Sequence, residues 1–526
     1  MNSRDFLYVY GEKKQESFIS EIDEIDKSLA DLLKEEKQKL ENENHKITGK
    51  TIQDSTSPKP KTINSIKSSY KKKRHNLFVQ TCLAPRAYLS GDDEVYAFIN
   101  EIETIDDVNY ITISLVTPQM AYTDNEFFGE NYRNQNDLWK SEYRPYYYEF
   151  STVLNTKDSM LVNEYYFQNE WFRARLVRSE KDKQLMYSNC VTKPAIGDYV
   201  QGVVNFGGSE SFSDVLFLVF ESELIKDSVR KGLADLYSVN LNQQQSPDAY
   251  LKTTFGEHKD KYSVNVLNVG QANCIHIKNI RSNASMFFDI GRPLKGYKTK
   301  SGWVRNADLK SGKSIVTTLG LLDKYKPDCI IISHWHSDHF AAYIHLRDIG
   351  KGKKWIVPPI TKKTITSAIR LIRFLIKKHK NDAVYCMKDC EYVYDNMHGF
   401  QIWKGNPING DLNSGSYIMR INSALFAGDC LYEFWPPRLR KNLQNVTDLV
   451  VPHHGSSLDK RKCCSATSIS VIQKFDKSKK KRAYVCVGSN GYGHPDTVGH
   501  LQELQNQGFD IVRTDVSSQV DLKFIV

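Results

Sequence analysis

The stretch SHWHSDHF, residues 333–340, follows directly on the apolar run CIII, residues 329–332. An apolar run of this length indicates a buried strand, so the histidine-rich stretch is expected in the loop at its carboxyl end. The pattern His-x-His-x-Asp-His places four metal-ligating side chains within six positions. We expect His334 and His336 to share one cation, and Asp338 and His339 to reach a second about 3.5–4 Å away. The alternative is a surface loop that is rich in histidine by composition, in a chain with 14 histidines.

Two further candidate ligand segments follow apolar runs in the same way. Asp429 comes after LFAG, residues 425–428, and His453 and His454 come after LVVP, residues 449–452. The two oxygens of a carboxylate can bind two cations, and this is the role expected for Asp429. Neighbouring residues of an extended backbone point to opposite sides, so one histidine of the pair should touch metal. We favour His453 as the ligand. His454 is then expected to act on the substrate or to support a metal ligand without binding the metal itself.

The order of these and other segments resembles the metallo-β-lactamase fold, and specifically the soluble hydrolase domain of the ComEC-type DNA-uptake proteins. Seven segments within residues 260–526 match motifs of that family in the family's order. They are VNVLNVGQAN (264–273) for a strand with DVGQGD, FFDIG (287–291) for IDGG, NSGS (413–416) for NNNS, LFAGD (425–429) for LLTGD, LVVPHHGS (449–456) for LKVPHHGS, YGHP (492–495), and RTD (513–515).

The resemblance implies an α/β fold for this half of the chain, an αββα sandwich, with two divalent metal ions, Zn²⁺ or Mn²⁺. The expected metal ligands are His334, His336, Asp338, His339, Asp429 and His453. Asp338, His454 and His494 are the expected catalytic residues, Ser416 and Ser456 are expected to bind substrate, and Asp289 is expected to support a ligating histidine from behind.

The chain departs from the family pattern at three places. His336 stands where ComEC-type proteins often have aspartate, which favours an occupied first metal position. The separate histidine that many relatives place between the loop and the bridging aspartate has no clear match, because His398 lies in the turn-like NMHG, residues 396–399. Asn273 replaces the acidic residue of the family's GQGD element. One metal position is therefore expected to have fewer ligands than usual.

Hydrolysis of DNA or RNA is the activity that the resemblance implies, and the charge agrees with it. The chain has 72 Lys and Arg against 62 Asp and Glu, a formal net charge of +10, which suits a polyanionic partner. Lys480 and Lys481 belong to a basic group, residues 477–482, that is expected to bind phosphate near the site. The alternatives are a hydrolase of small phosphodiesters, esters or lactones, and a partner-gated or catalytically inactive binding subunit.

The remainder of the chain divides into four expected segments. Residues 1–45 form an amphipathic helical segment, residues 46–75 a basic flexible linker, residues 76–230 a β-rich domain that could be a small barrel, and residues 231–258 a connector to the hydrolase domain of residues 259–526. The β-rich domain is expected to bind substrate or a partner protein. Tyr143 and the tyrosines at 146–148 either stack on bases or belong to its core. The N-terminal region could also mediate homo-oligomer formation.

Composition excludes several other classes of protein. No apolar stretch approaches the roughly 20 residues of a membrane span, and the N-terminus has no apolar signal-peptide core. Ten cysteines in a chain of 526 residues, some within expected strands, are typical of reduced thiols. The expected location is the cytoplasm. The spacings of Cys386 with Cys390 and of Cys463 with Cys464 do not predict a structural zinc site.

Overall fold

The computed structural model describes most of residues 93–526. Before residue 93 it describes only positions 27, 31, 34 and 38, and after it the gaps are 106–107, 130–142, 144, 146–147, 156–168, 178–198, 207–214, 221–224, 242–243, 257–259, 294–295, 300–301, 306–317, 321, 362, 380–382, 397–398, 408–410, 459–464, 491–492 and 516–520. The expected apolar helix stripe, the basic linker, two of the four tyrosines considered for base stacking, His398 and the Cys463–Cys464 pair therefore lie outside the described residues.

The first described part of the chain is a closed barrel of six strands, joined in the order β1-β2-β3-β5-β6-β4 with antiparallel neighbours. The strands are β1 (Asp93–Ile105), β2 (Val108–Val116), β3 (Tyr148–Asn155), β4 (Phe172–Val177), β5 (Tyr199–Phe206) and β6 (Val215–Phe220). Their inward positions are apolar and buried, as at Val95, Ile113, Phe150 and Leu176. Closure leaves no free sheet edge in this barrel.

Two seven-stranded sheets follow, each with parallel and antiparallel pairs. The first has the order β14-β13-β12-β9-β8-β7-β22, with β7 (Tyr262–Leu267), β8 (Cys274–Asn279), β9 (Ser285–Ile290), β12 (Cys329–Ile331), β13 (Lys354–Val357), β14 (Val384–Cys386) and β22 (Asp521–Ile525). The second runs β15 to β21 in sequence order, with β15 (Tyr392–Asp395), β16 (Phe400–Lys404), β17 (Tyr417–Ile421), β18 (Ala424–Phe426), β19 (Asp448–Val450), β20 (Lys481–Val485) and β21 (Phe509–Arg513). A hairpin of β10 (Gly296–Thr299) and β11 (Gly302–Arg305) stands apart.

Helices accompany the strands throughout. The α-helices are α1 (Pro118–Phe128), α2 (Asp227–Leu236), α3 (Asp248–Phe255), α4 (Ser337–Phe340), α5 (Thr366–His379), α6 (Pro437–Arg440), α7 (Ser465–Ile472) and α8 (His500–Asn506). Short 3₁₀ turns span Leu322–Tyr325, Ala341–His345, Tyr432–Phe434, Leu443–Asn445 and Pro452–Gly455. In the part of the chain that the structure describes, no helix combines the length and the apolar character that crossing a membrane requires.

Apolar side chains on both faces of each sheet set the layering. Cys329 and Ile331 of β12 join the core that the two sheets share, together with Met419 and Phe426 of the second sheet. Ile330 lies on the other face of β12, in the cluster that also holds apolar residues of α5 and of the barrel. A third cluster packs residues of α7 and α8 on the outer face of the second sheet. Strands buried on both faces read as continuous apolar runs, which explains the CIII run. The C-terminal half is thus a mixed α/β structure, the class expected from the sequence.

A buried ion pair joins the barrel region to α5. Arg370 of α5 donates from Nε and Nη2 to the Asp124 carboxylate of α1 at 2.7 and 2.8 Å, and both side chains are almost fully buried. Tyr143 and Tyr237 donate their hydroxyl hydrogens to the same carboxylate at 2.5 and 2.8 Å. Tyr143 also stacks on Phe127 with ring centroids 4.1 Å apart, so it is a core residue and is not placed to stack on bases.

Asp124→Asn should lower the free energy of unfolding by about 3–5 kcal/mol, because it leaves the Arg370 guanidinium buried without its anionic partner. Asp227→Asn is the control, since its side chain is exposed and its ion pair with Arg230 lies at the surface; that change should cost less than about 1 kcal/mol. Urea denaturation of both variants measures the difference. Equal losses would contradict a structural role for the buried pair.

Candidate metal centre

The fold brings the ends of several strands to one place. The histidine-rich loop follows the carboxyl end of β12 in the first sheet, and Asp429 follows β18 in the second. Strands β18, β19 and β20 are parallel, so the segments after them leave the second sheet at the same edge. His453 and His454 follow β19, and His494 lies beyond β20.

Two groups of side chains at this edge have the composition and spacing of metal sites. His334, His336 and Asp429 form the first group, and Asp338, His339, Asp429 and His454 form the second. Within each group the potential ligand atoms lie within 4.8 Å of one another. Asp429 belongs to both groups, which is the bridging position expected for it.

The distances around Asp429 show how its two oxygens divide between the groups. Its Oδ2 lies 4.0 Å from His334 Nε2, and its Oδ1 lies 3.0 Å from His339 Nε2 and 3.8 Å from His454 Nε2. Asp338 completes the second group, with Oδ2 3.2 Å from His454 Nε2 and Oδ1 3.8 Å from His339 Nε2. One carboxylate thus faces both sets of imidazoles.

The local backbone explains this arrangement. Trp335 turns into the core, where its ring lies 5.6 Å from that of Phe340, while His334 and His336 on either side of it turn toward Asp429. The single helical turn α4 then places Asp338 and His339 next to each other. Alternation in the extended part of the loop followed by one helical turn brings all four ligating side chains to the same place.

Asp289 supports the loop from behind, and its carboxylate is fully buried. It accepts hydrogen bonds from the backbone N–H of Ser333 at 2.7 Å and from the Ser333 hydroxyl at 2.8 Å. Its Oδ2 also lies 2.8 Å from His339 Nδ1, which leaves Nε2 of that imidazole directed at Asp429. A carboxylate behind a histidine is the usual partner of a ligating imidazole because it fixes the tautomer and the ring orientation.

Gly291 allows the close approach of this support. A Cβ atom at position 291 would lie 1.7 Å from the backbone carbonyl oxygen of Asp338. The backbone N–H of Asn273 donates to that same carbonyl at 3.0 Å, and Gly291 N–H donates to the Asn273 carbonyl at 2.7 Å. Asn273 therefore contacts the loop through its backbone, and these hydrogen bonds do not depend on its side chain.

The chemistry of the donors fits a divalent cation. His334 Nε2 is buried and makes no hydrogen bond with any residue that the structure describes. A buried polar atom without a partner is costly, and a cation bound between His334 and Asp429 would remove that cost. Imidazole nitrogens and carboxylate oxygens are ligands for Zn²⁺ and for Mn²⁺ alike.

The charges of the cluster compensate one another. Burial lowers the pKa of His339, but the carboxylates of Asp429, Asp289 and Asp338 outweigh it and hold this pKa well above its usual value. Burial also raises the pKa of Asp429, yet the neighbouring histidines hold it well below the usual range. For His334, burial and the adjacent imidazoles lower the pKa, so that this side chain stays neutral and ready to bind a cation. A bound cation would replace the proton that His339 carries.

The structure places the two adjacent histidines differently from what the prediction assumed. His454 belongs to the second group and is buried, whereas His453 lies outside both groups, with Nε2 3.6 Å from Asp429 Oδ2. The prediction assumed an extended backbone, but both residues have left-handed conformations, with φ of 48° and 51°. The 3₁₀ turn Pro452–Gly455 therefore points His454 at Asp338 and places His453 at the rim, 5.2 Å from the ring of His494.

The four predicted substrate-binding residues do not reach the cavity beside the cluster. Ser416 and Ser456 are fully buried and do not line it, and the Ser416 hydroxyl donates to the Leu412 carbonyl at 3.2 Å. Lys481 is the first residue of β20 and Lys480 directly precedes it, whereas the candidate ligands follow the carboxyl ends of the strands. Lys481 is buried there, and its ammonium donates to the Asp476 carbonyl. Strand direction thus places this basic group at the opposite edge of the sheet.

The cavity beside the cluster is open to solvent, and the barrel forms one of its walls. The residues that line it are Glu101, Tyr110, Thr112, Glu149 and Ser151 of the barrel, and Gln271, Pro293, His336, Ser337, Asp338, Ile365, Asn413, Asp429, His453, His454, Ser489, Asn490 and His494 of the α/β half. Burial, followed by the charge of Asp338, raises the pKa of Glu149 to about 7. Reasoning from sequence missed both glutamates, because neither stands in a motif.

Neither a scan against models of known protein families nor a search of curated proteins returns a match to this chain.

His454→Ala should weaken divalent-cation binding more than His453→Ala does. Loss of a residue that only hydrogen-bonds a metal ligand lowers metal affinity by about 10–100-fold. Loss of a direct ligand should therefore lower it by at least that much. Competition with a chelator measures the dissociation constants of Zn²⁺ for the two variants and the unsubstituted protein. The reverse ranking would restore His453 as the ligand.

His500 should make the metal-free protein sensitive to acid. Its Nδ1 donates to the Ser456 carbonyl at 2.8 Å, Tyr432 lies 2.9 Å from its Nε2, and burial lowers its pKa to about 4. The unfolded chain binds a proton near pH 6.5 and the folded chain does not, so this group's contribution to stability falls as the pH drops below 6.5. Between pH 7 and pH 5 the loss due to His500 should be ~2 kcal/mol.

Urea denaturation of the metal-free His500→Asn variant at these two pH values checks the effect. The unfolding free energy of the variant should fall less between pH 7 and pH 5 than that of the unsubstituted protein. An identical fall in both proteins would show that His500 is not the group responsible.

Proposed function

We propose that this chain is a metal-dependent hydrolase with the αββα fold of the metallo-β-lactamases, and that it cuts phosphodiester bonds in DNA or RNA. The observation that carries the proposal is the position of Asp429, a buried carboxylate shared by two groups of histidine and aspartate side chains. A pair of such groups suits two Zn²⁺ or two Mn²⁺ ions. All four ligating residues of the His-x-His-x-Asp-His pattern are present, and this argues against an inactive site that has lost its ligands.

The residues around the cluster provide further chemistry. When bound, the cations supply an activated water and offset negative charge on phosphoryl oxygens. His453 and His494 face each other at the rim, where an imidazole can donate a proton to a leaving oxygen. Gln271 and Asn413 line the same cavity, and their side chains carry amide N–H donors for phosphoryl oxygens.

Nucleic acid is the preferred substrate class because of the resemblance to the ComEC-type domain and the net charge of +10. A small phosphodiester is a second candidate, and one observation favours it. Glu101 and Glu149 of the barrel wall face the cavity beside the candidate ligands, where they oppose the entry of a long polyanion. The two candidates differ in the salt dependence that they predict.

Purified protein with added Mn²⁺ or Zn²⁺ should cleave end-labelled single-stranded DNA, double-stranded DNA or RNA. Asp338→Ala should reduce the rate of cleavage by more than about 100-fold, because it removes a metal ligand and not only a residue that hydrogen-bonds a ligand. Asp510→Ala is the matched control, because Asp510 is exposed and does not line the cavity. Its rate should stay within about twofold of the unsubstituted protein's.

The salt dependence of the rate then separates the two substrate classes. Cleavage of a polymer should weaken steeply as salt rises, whereas hydrolysis of a small phosphodiester such as bis(p-nitrophenyl) phosphate should hardly change. Failure of the metal-loaded protein to cut any polymer, with turnover of the small diester, would replace the nuclease proposal by the second candidate. Cleavage that persists in Asp338→Ala would contradict both.

A further inference from the structure

One contact crosses from the barrel to the histidine-rich loop. Glu101 of β1 places its Oε2 2.6 Å from Nε2 of His336, and the side chains are only 13% and 18% exposed. Glu101 belongs to a different part of the fold from every candidate ligand, and no sequence motif includes it. Its contact is with one of the three side chains of the first metal group.

A β-bulge in the barrel turns Glu101 toward the cluster. Ile99 pairs with Ile113 across the sheet, but Glu101 pairs with Thr112, so Asn100 is an extra residue in β1. Side chains alternate along a strand, and without the extra residue Glu101 would share the inward face of Ile99. The bulge reverses that direction, and Glu101 lines the cavity beside Thr112. Bulges next to functional sites commonly redirect a side chain in this way.

Hydrogen bonds hold the bulge and connect it to the α/β half. Asn100 is buried, and its Oδ1 accepts from the backbone N–H and the hydroxyl of Ser114 at 3.0 and 2.5 Å. The Ser114 hydroxyl in turn accepts from the backbone N–H of Thr366, the first residue of α5, at 3.2 Å. The position of Glu101 is therefore fixed relative to both the barrel and the sheet that carries the loop.

The geometry favours a supporting role for Glu101 over a role as metal ligand. Two ligand atoms of one tetrahedral zinc lie about 3.3 Å apart when each bond is about 2.0 Å long. The observed 2.6 Å is a direct contact between carboxylate and imidazole. Glu101 also lies outside both groups of mutually close ligand atoms. A carboxylate that engages Nε2 leaves Nδ1 of His336 as the nitrogen available to a cation.

We infer that Glu101 is a positioning residue of the metal centre, supplied by the barrel, which holds the imidazole of His336 for the cation bound by His334, His336 and Asp429. The inference rests on the proposed metal centre and not on the identity of the substrate. It gives the barrel a second task besides forming a wall of the cavity.

The test measures the affinity of the full chain for Co²⁺ in the absence of substrate. Binding is monitored by the visible absorption of Co²⁺ and by competition with a chelator. Glu101→Ala should weaken binding of one of the two ions by about 10–100-fold and leave the other unchanged. Glu101→Gln should lose less, because glutamine has nearly the same shape as glutamate and keeps a polar oxygen beside the imidazole. Partial rescue by glutamine distinguishes positioning of His336 from a general effect on folding.

Glu94→Gln is the matched control. Glu94 lies on the same strand, but its carboxylate pairs with Arg173 and Arg175 within the barrel, at 3.0 and 2.9 Å, and does not line the cavity. It should leave both affinities unchanged. Equal weakening by Glu94→Gln and Glu101→Ala would overturn the inference, because the effect would then come from barrel stability.

Three other outcomes would also overturn it: unchanged binding of both ions by Glu101→Ala, tighter binding by that variant, or an unsubstituted protein that binds no cation. Tighter binding would mean that Glu101 competes with the cation for His336. A protein that is not a nuclease would give a different result. It would bind two ions, Glu101→Ala would weaken the binding of one of them, and nucleic acid would remain intact.

Discussion

The burial of several carboxylates in one place is the constraint on which the centre depends. Asp289 and Asp429 are almost completely buried, and Asp338 lies between the same histidines. An uncompensated carboxylate in a protein interior costs several kcal/mol, so positive charge must accompany each one. In the metal-free chain the proton on His339 supplies part of that charge, since neighbouring carboxylates raise its pKa. A divalent cation would provide the same compensation, and the cluster has the side chains that could hold one.

The fold meets this constraint through strand direction. Parallel strands β18, β19 and β20 place their carboxyl ends at one edge of the second sheet, and β12 brings the histidine-rich loop from the facing sheet. The apolar core between the sheets fixes the two edges relative to each other. The barrel then closes one side of the cavity and is tied to α5 by the buried pair of Asp124 and Arg370. Each part of the chain thus contributes to the shape of a single cavity.

The sequence predicts best what depends on local spacing. The loop at 333–340 contains its four ligating side chains within six positions, and a glycine before Asp429 marks the turn after β18. Placements that depend on backbone angles or strand direction differ from what the sequence suggested, as with the orientation of His453 and His454 and the location of Lys481. The contact of Glu101 with the cluster could not be predicted from the sequence for a different reason. The direction of its side chain depends on one extra residue in β1 and on the docking of the barrel. Neither feature leaves a recognisable pattern in the sequence.

Anomalous diffraction from crystals of the protein loaded with Zn²⁺ or Mn²⁺ would show whether Asp429 bridges two cations. We expect two peaks about 3.5–4 Å apart, one on each side of the Asp429 carboxylate. One peak should lie against His334 and His336, and the other against Asp338, His339 and His454. The absence of any peak within bonding distance of Asp429 would show that this carboxylate is not a metal ligand.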